Sequence, residues 1–166
     1  CADGSIQIGK GTEDVTLVLN GLTLTSTTTA PLVCGKSSGV TLAAAEGTEN
    51  TLTDGEANNK DNENASEEAE SAVVKCKDGS QVVLCGTGTL NLHAVGKNGI
   101  KSGTTEEDRD ASLTIRALTL NIDAPVNDAI NAEQQLNVES GTLNIAAGDD
   151  AVHCDLYLNV GAEGTD

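Results

Sequence analysis

Apolar and polar residues alternate in short runs along most of the chain, and the runs recur. One set comprises Val15-Thr16-Leu17-Val18-Leu19, Val40-Thr41-Leu42, Val82-Val83-Leu84, Leu113-Thr114-Ile115, Leu136-Asn137-Val138 and Leu156-Tyr157-Leu158. Most are followed by a second run: Leu22-Thr23-Leu24, Leu90-Asn91-Leu92, Leu118-Thr119-Leu120-Asn121-Ile122 and Leu143-Asn144-Ile145. A shorter apolar pair then closes the unit, as in Leu32-Val33, Val73-Val74, Gly99-Ile100, Ala129-Ile130 and Ala151-Val152. Alternation with a period of two marks strands with one buried face. Helical spacing is sustained nowhere. Ile130 and Val152 are 22 positions apart, and Leu113 and Leu136 are 23 apart.

Three short strands in a unit of about 22 residues, repeated about five to six times, predict an all-β solenoid, a right-handed parallel β-helix. The hand follows from the crossover preference of parallel strands. An antiparallel sandwich also has many short strands, but it does not make equivalent residue types recur at equivalent places. The whole chain, residues 1–166, reads as a single β-helix domain, complete or a piece of a longer solenoid. Two stretches break the period. Residues 54–71 carry Asp54, Glu56, Asp61, Glu63, Glu67, Glu68 and Glu70, and are expected to leave the coil as a mobile excursion. Residues 103–110 form a smaller one. Asn64-Ala65-Ser66 fits a glycosylation sequon, a weak signal at three residues.

Composition then narrows the function. The 166 residues include 26 Asp and Glu against 9 Lys and Arg, a formal net charge of -17. So acidic a surface repels phosphate backbones and anionic headgroups, which excludes nucleic acid as a natural partner. No apolar run is long enough to span a bilayer, so membrane insertion is not expected. The chain has one tyrosine, Tyr157, and no Phe or Trp, so a sugar site built on ring stacking is poorly provided for.

In a solenoid, one position per coil forms a column, and columns are where chemistry collects. Asn91, Asn121 and Asn144 form the first, pointing outward between inward aliphatics. Stacked amides bond along the axis, mainly a structural device, although such a face can also meet sugar hydroxyls. The second column precedes the third strand: Lys97-Asn98-Gly99-Ile100, Asn127-Asp128-Ala129-Ile130 and Asp149-Asp150-Ala151-Val152, with Asp123 just upstream. Oxygen ligands from consecutive turns can converge on Ca²⁺, which makes Asn98, Asp123, Asn127, Asp128, Asp149 and Asp150 candidate ligands. Equally, Asn and Asp populate turns through local hydrogen bonds alone. The third column holds Cys34, Cys76, Ser102, Ala132 and Cys154, with Cys1 as its possible first member. Neighbours about 4.8 Å apart satisfy disulfide geometry, so Cys34–Cys76 and Cys1–Cys34 compete, and a row of packed thiols is the alternative. His93 and His153 are too few and too scattered for a zinc site.

At these residues the sequence resembles a family of secreted, calcium-binding β-helix proteins, the carbohydrate-binding domain-containing proteins. The stretches that carry the resemblance are 15–25, 45–55, 86–92 and the turn Gly148-Asp149-Asp150-Ala151-Val152. The resemblance implies a right-handed β-helix, bound Ca²⁺ and recognition of acidic polysaccharide outside the cell or on its surface. The expected function is therefore non-catalytic: Ca²⁺ bridges Asp128, Asp149 and Asp150 to the carboxylates of an acidic glycan. A second expectation is self-assembly. No capping helix precedes Ile6 or follows Leu158, so terminal edges meet either further coils or another copy, head to tail, as a filament. Cys154 of one copy would then face Cys1 of the next. A pectate-lyase-like enzyme is the weakest reading, since a lyase wants a base beside the ion. Arg109 and Arg116 are the only arginines, and Lys97 and Lys101 show no partner in the sequence.

Overall fold

The structure, a computed structural model, describes residues 3–161. The first coil is β1 (Ile6–Ile8), β2 (Val15–Leu19) and β3 (Thr23–Ser26), and the second is β4 (Leu32–Cys34), β5 (Gly39–Ala44) and β6 (Glu49–Asp54). The third is β7 (Ala72–Cys76), β8 (Gln81–Gly86) and β9 (Thr89–His93), and the fourth is β10 (Asn98–Ser102), β11 (Ser112–Ile115) and β12 (Thr119–Ala124). The fifth is β13 (Ile130–Ala132), β14 (Gln135–Val138) and β15 (Thr142–Ala147), followed by β16 (Val152–Cys154) and β17 (Tyr157–Val160). Each strand pairs in parallel with its equivalent one coil away, giving sheets β1-β4-β7-β10-β13-β16, β2-β5-β8-β11-β14-β17 and β3-β6-β9-β12-β15. This is a parallel β-helix.

Register explains how a core forms without aromatic rings. Ile6, Leu32, Val74, Ile100, Ile130 and Val152 stack in one inward column, and Leu17, Leu42, Leu84, Ile115, Val138 and Val160 in another. Leu24, Leu52, Leu92, Ile122 and Ile145 line the third sheet. The interior is narrow, and Leu, Ile and Val fill it without the width a ring would need. Leu32, Leu84, Ile100, Leu113 and Ile130 are wholly buried. The last coil has a described neighbour on one side only, and its Leu156, Tyr157, Leu158 and Val160 are exposed.

One strand escaped the alternation rule. In β6 the inward position opposite Leu90 is Asn50, which is wholly buried. Its carbonyl accepts the Leu22 N–H at 2.9 Å, and its amide donates to Thr89 O at 3.1 Å and Thr48 Oγ1 at 3.2 Å. A buried amide with its donors and acceptor paired replaces a leucine there, so the run looked polar in the sequence.

Both interruptions leave the coil, but neither is the free loop its composition suggests. The first begins after Asp54, which is the buried end of β6. Asn58, wholly buried in the short 3-10 turn Glu56–Asn58, donates to Asp54 Oδ2 at 2.7 Å and Ala72 O at 2.9 Å, and accepts the Glu70 N–H at 2.7 Å. Ala69 is buried as well. Three short polar bonds tie the departure and return of the acidic segment to one point. In the second excursion Arg109 pairs with Glu13 and donates to Ser37 O at 3.1 Å and Gln81 Oε1 at 3.4 Å. Glu106 meets Lys36 at 2.9 Å. That loop straps the flank of the first three coils.

Candidate functional site

The oxygen-rich turns stack as the sequence predicts: Gly99 N–H donates to Asp128 O at 3.1 Å, and Ala129 N–H to Asp150 O at 3.0 Å. Their side chains, however, do not form one cage. Asp128 is buried, and its two carboxylate oxygens accept Asn131 Nδ2 at 2.6 Å and the Asp150 N–H at 3.2 Å. Asn127 Nδ2 donates to Asn98 Oδ1 at 2.8 Å, and Asn98 Nδ2 to Ser71 O at 2.8 Å. Asp149 and Asp150 are exposed, and Asp150 faces His153 at 3.4 Å. His153 also contacts Asp155 at 2.8 Å; this carboxylate, with Asp150 second, raises the imidazole pKa above its ordinary value. Asp123 sits elsewhere, at the outward end of β12. Among the described residues, no three His, Cys, Asp or Glu side chains group as a metal site. The oxygen donors of these turns are chemically suited to a hard cation; Asn98 and Asn127 bond to each other, Asp128 bonds to Asn131 and the Asp150 N–H, and Asp149 and Asp150 are exposed.

The cysteine column is real, with one correction. Cys34 lies directly over Cys76, and Ser102, Ala132 and Cys154 continue the row. Its first member is Ile8, the register partner of Cys34, and not Cys1, which lies outside the described residues. Cys34 and Cys76 are wholly buried free thiols, and Cys85 and Cys154 are also free. The hydrogen bond from Cys76, together with burial, pushes the Cys34 thiol far above the usual range. Cys154 stacks on Ala132, so among the described residues of this row it has no thiol neighbour.

The most organised polar feature is the outward face of the third sheet. Asn91, Asn121 and Asn144 are register partners. Asn144 Nδ2 donates to Asn121 Oδ1 at 2.8 Å, Asn121 Nδ2 to Asn91 Oδ1 at 2.7 Å, and Asn91 Nδ2 to Glu49 Oε1 at 2.9 Å. A primary amide has two N–H groups and two carbonyl lone pairs. Asn121 and Asn144 therefore keep a second N–H, and their carbonyls keep acceptor capacity toward solvent. Two residues further on, His93, Asp123 and Ala146 form a parallel row. The two rows enclose a groove of about 290 Å³, floored by the backbone of Leu92, Ile122 and Ile145, whose side chains point into the core. A shorter ladder of the same kind stands on the second sheet, where Asn159 donates to Asn137 at 2.7 Å and Asn137 to Thr114 at 3.3 Å. The sequence reading found the amide column but missed His93, Asp123 and Ala146 as its companions. Period-two parity alone would have assigned them to the same face.

Cations are sparse and engaged. Lys97 and Lys101, without partners in the sequence, pair with Asp61 and with Glu133 at 2.9 Å. Lys77 meets Glu70 at 2.6 Å. Burial, with Lys101 alongside, lowers the pKa of Lys75.

A curated relative from Acetivibrio thermocellus, a "Carbohydrate-binding domain-containing protein", is 28% identical over 116 residues, 69% of this chain. The chain spans 39% of that relative's length. A solved structure, the "polysaccharide lyase-like protein from C. thermocellum, Gadolinium derivative", aligns over 98% of this chain and 81% of its own, with 21% identity and a TM-score of 0.44. The family model described as "Carbohydrate-binding domain-containing protein" matches residues 1–160, and the chain belongs to that family.

Proposed function

We propose that the protein is a non-catalytic polysaccharide-binding solenoid whose contact face is the outward side of β9, β12 and β15. The observation that carries this reading is the continuous amide ladder Glu49–Asn91–Asn121–Asn144 along one wall of a groove. Amides fixed by bonds to one another are already oriented, so a sugar hydroxyl that bonds to them orders little else. They also fit a binding role better than a catalytic one, because an amide neither gives up nor takes a proton near neutral pH. A polymeric ligand of this kind favours an extracellular or surface location.

Titration calorimetry with a panel of soluble polysaccharides tests the reading. Binding should weaken when Asn121 or Asn144 is replaced by Ala, and no reducing ends or unsaturated products should accumulate. The calcium-bridged alternative draws on the exposed Asp149 and Asp150 beside Asp128. Binding that excess EDTA and Asp150→Asn both abolish, while Asn121→Ala leaves it intact, would move the site to that turn and refute the amide face.

A further inference from the structure

We propose that the ligand of the amide face is a neutral polysaccharide, extended along the solenoid axis and held by hydroxyl–amide hydrogen bonds on successive coils. This rests on the amide-face reading above and narrows it to a chemical class. The first support is the charge at the groove. Its fixed charges are carboxylates: Asp123 on the lining, and Glu49, which accepts the amide of Asn91. No lysine or arginine lines it among the described residues. A uronate or a sulfate ester would therefore meet like charge on a chain that already carries -17.

The second support is the state of the cations elsewhere. Lys10, Lys36, Lys60, Lys77, Lys97, Lys101, Arg109 and Arg116 each have a carboxylate within 4 Å. Of the nine basic side chains, Lys75 is the one with no such partner among the described residues, and it is the one whose charged form burial disfavours. An acidic chain would have to compete with carboxylates already beside these cations. Among the described residues, the oxygen-rich turns bring no three carboxylate or imidazole groups together around a bridging cation.

The third support is geometric. Register sets Asn91, Asn121 and Asn144 directly over one another at the rung spacing of about 4.8 Å. Asn121 and Asn144 each offer both a donor and an acceptor, which suits hydroxyls that themselves donate and accept, whereas the Asn91 amide donates to both Glu49 and Thr51. Of the apolar residues along the groove, Ala146 turns its side chain outward toward the C–H edges of a sugar, while Leu92, Ile122 and Ile145 contribute backbone and point their side chains into the core. With no Phe, Tyr or Trp in the groove, affinity must accumulate rung by rung, roughly two- to tenfold for each neutral hydrogen bond added.

The test uses the full chain and β-1,4-linked gluco-, xylo-, manno- and galacto-oligosaccharides of two to six sugars as neutral probes. Hexagalacturonate, in calcium and in excess EDTA, is the acidic probe. At least one neutral series should bind in EDTA, tighten from disaccharide to tetrasaccharide, and vary little between low and high NaCl. Asn121→Ala should weaken it about tenfold. Asn121→Thr guards against misfolding, since the same column already holds Thr23 and Thr51, and should bind between the two. If hexagalacturonate outbinds every neutral probe and Asn121→Ala weakens it, the amide face stands and the neutral class falls. If that preference is indifferent to Asn121→Ala, or if no probe binds at millimolar concentration, both fall.

Discussion

Replacing Asn58 by Ala removes the one side chain that, among the described residues, joins the start, the end and the host coil of the acidic excursion. Three groups lose a partner: the Asp54 carboxylate, the Ala72 carbonyl and the Glu70 N–H. Asp54 is 3% exposed and Ala72 is wholly buried, so neither recovers full hydration while the fold persists. A buried polar group left unpaired costs about 1–3 kcal/mol, and water entering the vacated space returns part of it, so the net loss should be about 3 kcal/mol. For a chain of this size that corresponds to a fall in Tm of about 6–12 °C.

The loss should also depend on pH. Burial already raises the Asp54 carboxyl above its ordinary value, opposed by bonds from Gly96 N–H and the Asn58 amide. A carboxyl whose folded pKa is raised contributes stability that is complete below about 3.9 and disappears as pH climbs through the folded value. Without the Asn58 donor that folded value rises further, so the decline extends to higher pH. The variant should be penalised more at pH 7 than at pH 4.5. Urea denaturation at both pH values, with hydrogen exchange across residues 59–70, measures it. A change below about 1 kcal/mol at pH 7, with unaltered protection of the excursion, would refute the claim that this knot anchors it.

Other outcomes follow from equally local features. Gly86 has φ +103°, and a Cβ there would strike the Ala44 carbonyl, so Gly86→Ala should cost about 3 kcal/mol or more; Gly47→Ala, at φ +69° in open space, should cost about 1 kcal/mol, both read by denaturation. Arg109→Gln should raise hydrogen exchange around Glu13 and Ser37 in low salt, and 0.5 M NaCl should shrink the difference, because these ion pairs are exposed. Iodoacetamide should label Cys85 and Cys154 in the folded protein and reach Cys34 and Cys76 only after unfolding, as peptide mapping by mass spectrometry would reveal; native labelling of Cys34 would contradict its burial.

What the amino-acid order alone determined is the coil. Period-two alternation, repeated at a near-constant interval, located most strands and put Cys34 over Cys76 and Asn91, Asn121 and Asn144 in one row, because parallel stacking converts sequence interval directly into spatial neighbourhood. It failed at Asn50, where a satisfied buried amide imitates an exposed one, and at the acidic excursion, where composition carries no sign that Asn58 would be enclosed. Tertiary structure alone decided which outward groups remain available. Asp128 and Asn98 look like ion ligands in the sequence, and in the structure their side chains bond to Asn131, Asn127, Ser71 and a neighbouring backbone N–H. Asn121 and Asn144 look like structural ladder members, yet they keep free donors beside a groove. A column is a one-dimensional property that the repeat dictates, whereas the partner of each polar atom depends on turn geometry and on segments that return from far along the chain.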